Sequence, residues 1–394
     1  MKKLTSFLTF SIAFTIFSCS SSDSVSTPTE TYPNVIAAFS GKIDLNNLSN
    51  YATQSKPAYI TKDNTAGNPI TDKGATLGRV LFYDKNLSSN NTISCASCHI
   101  QANAFGDDTD ASDGVNGTTT RHAMRLVNSR FSNETKFFWD ERATTLEAQT
   151  SQPIQNHIEM GFSGTSGDGS ITTLITKLQA IGYYKELFKY VYGSEEITET
   201  KLQNALAQFI RSIQSFDSKY DTGRAAVQND NQPFSNFTAQ ENQGKNLFLT
   251  PPVFDTSGVR ISGGFGCAGC HAPPEFDIDP NTKNNGVIGV LNGTGIDITN
   301  TKAPSLRDLL NANGTPNGPM MHTGSFATLQ NVIGHYGTIT IAPRNTNLDP
   351  RLTPSGFGQQ LNINATEVTA LIAFIKTLTG TNVYTDPKWS SPFK

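Results

Sequence analysis

The 394-residue chain sets 30 Lys and Arg against 33 Asp and Glu, a formal net charge of −3 that argues against nucleic acid or an anionic membrane surface as partner. It is long enough for two domains, and 32 glycines, 19 prolines and 36% hydrophobic residues read as helices separated by long loops.

The chain opens on "MKKLTSFLTFSIAFTIFSC": two lysines, an apolar run from Phe7 to Phe17, and small residues before Cys19. That run is too short to span a bilayer and has the order of an export signal. Ending at a cysteine after "FS", residues 1–19 resemble a bacterial lipoprotein signal with Cys19 acylated after cleavage; a plain signal peptide cut nearby is the alternative. Residues 20–34, with "SSSDSVSTPTET", read as a flexible tether too polar to bury anything. Either way the chain is exported, to the periplasm or outer membrane, and touches membrane only through a lipid anchor. An N-terminal domain is expected over 35–225 and a C-terminal one over 226–394.

Next comes "CASCH" at 95–99, which returns as "CAGCH" at 267–271. With five cysteines and six histidines in the whole chain, two such spacings are not accidental. The pattern is that of c-type haem attachment: two thiols add across the haem vinyl groups, and the adjoining histidine ligates the iron. Zinc would want four ligands grouped together, and a dithiol redox pair has no use for the histidine. Two covalent haems are therefore expected, one on Cys95, Cys98 and His99, the other on Cys267, Cys270 and His271. Only Cys19 remains, so no disulfide framework is expected.

The surroundings of the two motifs repeat as well. "LGRVLFYDKNLSSNNTISCASCH" parallels "QGKNLFLTPPVFDTSGVRISGGFGCAGCH", each with a G-x-x-L-F helix end ahead of a loop. "WDERATTLEAQ" parallels "HTGSFATLQNV", with Thr-Leu six and seven residues after Trp139 or His322. Between and after them lie helical stripes: Leu202, Leu206, Phe209, Ile213 and Phe216, and later Val368, Leu371, Ile372, Ile375 and Leu378. Thr238 and Glu241 form a capping-box pattern. No strand pattern is persuasive. The expected class is mostly α, with two cytochrome c-like haem domains related by internal duplication and joined by long loops.

The segment "FFWDERATTLEAQTSQPIQNHIEMGF", residues 137–162, with "LGRVLFYDKNLS" and "KAPSLRDL", resembles the bacterial dihaem cytochrome c peroxidase family, which also includes a methylamine-utilisation enzyme. The resemblance runs from about residue 70 to 380. It implies reduction of hydrogen peroxide with electrons from a small periplasmic donor of cytochrome c or cupredoxin type, and is compatible with a homodimer. Cleaving a peroxide requires a group that moves a proton from one oxygen to the other, a task suited to a pocket carboxylate. The resemblance puts that role on Glu159, with Gln149 as the glutamine that hydrogen-bonds peroxide and Trp139 as the relay between haems. It makes the first haem peroxidatic and the second electron-donating. His157 and His322 take no role, and Met320 and Met321 read as packing.

The chain departs from the pattern in three places. The loop "DGVNGTTTR" lacks the histidine that caps the resting iron in typical members. His122 stands where the family has the asparagine of an interdomain calcium; calcium prefers oxygen, which puts that site in doubt although carbonyls near Asn317 and Pro319 could serve. His122 reads as structural or, less readily, as a replacement cap. Finally, the position of the distal methionine of the second haem falls on Tyr336, beside His335. A dihaem oxidase acting on a protein or organic substrate and a plain electron carrier are the alternatives to a peroxidase.

Overall fold

The computed structural model describes residues 1, 31–132, 136–278, 281–299 and 301–393, so the signal, Cys19 and most of the tether lie outside the described residues. Among the described residues the helices are α1 Pro33–Phe39, α2 Asp72–Tyr83, α3 Cys95–Cys98, α4 Leu146–Thr150, α5 Ile171–Gln179, α6 Gly182–Tyr192, α7 Glu199–Ser212, α8 Lys219–Ala225, α9 Ala239–Leu249, α10 Leu329–Gly337 and α11 Ala365–Lys376. Strands are few and short, in three antiparallel pairs: β1 Asp113–Gly114 with β2 Gly117–Thr118, β3 Pro252–Phe254 with β4 Arg260–Gly263, and β5 His271–Ala272 with β6 Asp277–Ile278. No described helix is long and apolar enough to cross a membrane.

Side-chain caps set where the main helices begin. Thr71 accepts from Gly74 N–H to start α2, and Thr198 accepts from Lys201 N–H to start α7. Thr238 and Glu241 make the expected capping box of α9, at 2.6 and 3.2 Å, and Asn364 with Glu367 makes an unforeseen one for α11. In α7, Leu202, Leu206 and Phe209 are buried as the spacing predicts. The stripe outruns the helix, however. α7 stops at Ser212, Ile213 is an extended cap, and Phe216 leaves the helix to pack on Phe131, ring centroids 4.9 Å apart. Periodicity reads burial, and a residue just past a helix end can be buried equally well.

Two glycines decide how the helices pair. A Cβ on Gly78 of α2 would lie 2.0 Å from the Ala205 carbonyl oxygen of α7. A Cβ on Gly244 of α9 would lie 1.9 Å from the Ala370 carbonyl oxygen of α11. Each is the glycine of a G-x-x-L-F run, and each lets two helix backbones touch. The pairs face separate cores. One draws on residues between Val35 and Ile213, including Phe82, Leu206 and Phe209; the other on residues between Tyr220 and Leu378, including Phe248, Phe276 and Phe374. Val383 and Trp389 belong to the first core, so the chain's end, grouped by sequence with the C-terminal half, returns to the N-terminal one. Buried Trp389 and the carbonyls that accept from Arg79 Nε (2.7 Å) and Tyr83 Oη (2.6 Å) explain why.

Correspondence extends to a second pair of segments. Phe137 bridges Ala143, and Met320 bridges Phe326; Phe138 and Met321 between them both sit at φ 71°. Each turn leads to a threonine cap: Thr145 accepts from Ala148 N–H at 3.0 Å to open α4, and Thr328 from Asn331 N–H at 3.2 Å to open α10.

Candidate active site

Both Cys-x-x-Cys-His motifs are short turns that aim a histidine inward. In the first, Ser94 caps α3 and His99 N–H returns to the Cys95 carbonyl at 3.0 Å. Ala104 and Phe105, at φ 54° and 59°, turn the Phe105 carbonyl back onto His99 Nδ1 at 3.2 Å. In the second, Gly266 at φ 67° opens the turn, and His271 Nδ1 is 3.0 Å from the Pro304 carbonyl. A carbonyl only accepts, so Nδ1 carries the proton in both rings and the lone pair of Nε2 is left for a ligand. Burial favours the neutral ring; it lowers His99 and takes His271 down to about 4.

These donors fit haem. Each motif offers two unbridged thiols, pushed up by burial to about 12 at Cys95, 11 at Cys98 and 12 at Cys267, together with one oriented neutral imidazole. Among the described residues no three His, Cys, Asp or Glu side chains are grouped to hold a bare metal ion. Around the second motif lies a cavity of about 480 Å³, largely apolar, walled by Trp139, Met320, Met321, Ile333, Tyr336 and Leu371. At the first motif the slot is smaller, about 60 Å³.

Glu159 and Gln149 meet at that first slot, lined also by Cys95, Cys98, His99 and Phe82. They arrive from different segments. Gln149 rides on α4, which the Glu147 carboxylate ties to Arg211 of α7, Oε2 to Nη2 3.1 Å. Glu159 lies in a turn whose N–H groups at Ile158 and Glu159 are taken by Asn156 Oδ1, 2.9 and 3.1 Å. The β1–β2 hairpin, the loop without a histidine, closes over the same turn. Val115 N–H donates to the Glu159 carbonyl at 3.0 Å and Asn116 N–H to the Ile158 carbonyl at 3.1 Å. Gly114 is required there, since its Cβ would sit 2.1 Å from the Ile158 oxygen. Burial raises the Glu159 carboxyl, with Arg142 pulling the other way.

Residues 122–126 pass from one cavity to the other: His122, Met124 and Arg125 line the second, Leu126 the first. Trp139 is fixed to this segment by Nε1–H donating to the His122 carbonyl at 2.7 Å, and its ring stands edge-on to His322 at 6.3 Å. It lines the second cavity but not the first slot. His122 itself lines the second cavity, its Nδ1 2.9 Å from the Thr109 carbonyl. Asn317 spends its amide on the Asp308 carbonyl, 2.7 Å, and Tyr384 Oη, 2.9 Å. His157 is paired with Asp168 at 2.9 Å.

At the second cavity the structure separates the two candidates on α10. Tyr336 lines the cavity; His335 does not, because its Nε2 is held 2.9 Å from the Asn285 carbonyl. Met320 and Met321, read as packing, both line it too. Sequence reasoning missed Asn285, whose amide reaches Tyr336 Oη and Met321 Sδ; the loop "KNNGVIG" holds no motif that points to it.

The family profile described as di-haem cytochrome c peroxidase matches residues 72–230. The chain is 30% identical over 322 residues to the methylamine utilization protein MauG of Methylophilus methylotrophus, covering 79% of this chain and 84% of that protein. It is 28% identical to the cytochrome c551 peroxidase of Nitrosomonas europaea, covering 78% and 80%. Among solved structures, a MauG-like protein associated with microbial copper homeostasis superposes with a TM-score of 0.66 at 28% identity, over 86% of this chain and 99% of that one.

Proposed function

Because the chain belongs to the di-haem cytochrome c peroxidase family, we propose that it reduces hydrogen peroxide to water at the first site, with electrons received at the second from a small exported donor of cytochrome c or cupredoxin type. Family membership implies two c-type haems, which when bound supply the redox chemistry: two electrons and two protons turn one peroxide into two waters.

The observation that carries this reading is the convergence of Glu159 and Gln149 on the slot of Cys95, Cys98 and His99. An electron carrier needs no such pair. A carboxyl raised by burial is poised to accept a proton from one peroxide oxygen and return it to the other. Gln149 supplies an amide N–H to hold the peroxide. Trp139, anchored to the segment between the cavities, is the relay. In the test, Glu159→Gln keeps both haems and their spectra yet loses about 10² to 10⁴ of peroxide turnover. Turnover within a few-fold of the parent removes Glu159 from the mechanism.

Tyr336 on the second cavity favours a second reading, an oxidase of a protein or organic substrate through the same haems. A tyrosine oxygen is a hard donor that holds the ferric state and suits a site that stores oxidising equivalents. Assaying peroxide consumption against a reduced cytochrome and against a redox-active aromatic substrate separates the two.

The matched glycine contacts and threonine-capped turns support duplication of one haem domain, with an N-terminal domain over 35–225 and a C-terminal one from 226 whose final residues return to the first. Export and acylation at Cys19 complete the proposal.

A further inference from the structure

We propose that Asn285 is a positioning residue for the second haem, its side-chain amide holding the Tyr336 oxygen as the distal donor and moderating how strongly that oxygen donates. The inference rests on the reading of Tyr336 as that donor.

Asn285 is fixed at its side-chain oxygen and at its main-chain carbonyl. Its Oδ1 accepts from Val287 N–H at 3.1 Å, and its main-chain carbonyl accepts from His335 Nε2–H at 2.9 Å. The first bond decides the amide's orientation, since Oδ1 must face an N–H. The Nδ2 hydrogens are thereby aimed into the cavity, 3.4 Å from Tyr336 Oη and 3.3 Å from Met321 Sδ. All three side chains line the cavity that His271 enters. The loop cannot swing away easily. Asn284 Oδ1 accepts from Gly286 N–H at 2.9 Å and from Asn345 Nδ2 at 2.8 Å, and Gly286, at φ 91°, lies against the His335 ring.

Two potential donors thus share one amide. Oxygen is the better acceptor of an N–H; a thioether is a weak one. The amide therefore favours the tyrosine oxygen over the sulfur as the atom it holds, and by drawing electron density from that oxygen it weakens donation to iron. Hydrogen bonds to a ligating atom act in this way on metal sites generally. His335, one residue before Tyr336, contributes by anchoring the carbonyl of Asn285.

The test uses the full dihaem protein. Asn285→Leu fills the same volume without polar atoms; Asn285→Ser keeps an acceptor for Val287 N–H and serves if the leucine variant does not fold. Spectroelectrochemistry and EPR of each haem are the readouts, beside Tyr336→Phe and Met321→Leu. The expected result is a downward shift of the second haem's potential with an altered ferric signature, the first haem unchanged. No shift, or an upward one, while Tyr336→Phe alters the same signature overturns the role of Asn285 alone. Should Met321→Leu alter the signature and Tyr336→Phe leave it untouched, the reading of Tyr336 falls and the role of Asn285 with it.

Discussion

Single side chains in this protein are set by which backbone carbonyl or carboxylate they meet. His335 and Tyr336 are neighbours in sequence, yet one is spent on the Asn285 carbonyl and the other faces the second cavity. Asp308 shows the same principle as a cost. It is fully buried at φ 52°, accepting from Gly380 N–H at 2.8 Å and Tyr384 Oη at 3.3 Å. Burial pushes its carboxyl up to about 6, against the hydrogen bond from Gly380 N–H. The folded protein thus holds a proton that the unfolded chain, near 3.8, has released. The resulting stabilisation is present below pH 4 and is lost as pH rises through 6, by about 3 kcal/mol at 1.36 kcal/mol per unit. Urea unfolding at pH 4.5 and 7 should show wild type losing ground to Asp308→Asn as pH rises. A difference independent of pH would mean that Asp308 is ionised in both states.

Among the elements, the helix pairs and the β1–β2 hairpin have the most specific consequences. Gly78→Ala drives a methyl to within 2.0 Å of the Ala205 carbonyl, and Gly244→Ala to within 1.9 Å of that of Ala370. Neither carbonyl can retreat without moving a helix, so each substitution should cost about 1–3 kcal/mol or more. Each should disturb chiefly the haem spectrum of its own half, read by resonance Raman beside thermal unfolding. Equal disturbance of both haems by either change would show that the halves do not pack independently. The hairpin, tied through Val115 and Asn116 to the turn of Glu159, carries no histidine to reach the first iron. Fully oxidised holoprotein should therefore react with peroxide, seen at the Soret band, without prior reduction. Silence until one electron is added would place a cap that this hairpin does not supply.

At the scale of the whole molecule, the described chain from Tyr32 is one compact unit holding two cores and two haem motifs. Arg307, fully buried, joins segments of the second core by donating to Asp221 at 3.0 Å and to the Pro274 carbonyl at 2.7 Å. Purified holoprotein should carry two covalent haems by mass. Removing Cys95 and Cys98 together should leave one; retention of both would contradict the attachment.

Haem chemistry and the family were legible in the sequence because covalent attachment needs two thiols and a histidine at one local spacing, and a local spacing survives any folding. Glu159 and Gln149 stood out for a related reason, lying in one recognisable run from Trp139 to Met160, and the fold brings both to the first slot. Helix caps at Thr238 and Glu241 were equally local. What tertiary structure decided is everything that depends on contacts distant in sequence. The tail at Trp389 crosses to the first core to bury its ring, and Phe216 finds Phe131 beyond a helix end. Asn285 reaches Tyr336 across 51 positions. No period or motif encodes such a meeting, since its partners are chosen by packing and by the need of each buried polar atom for a mate.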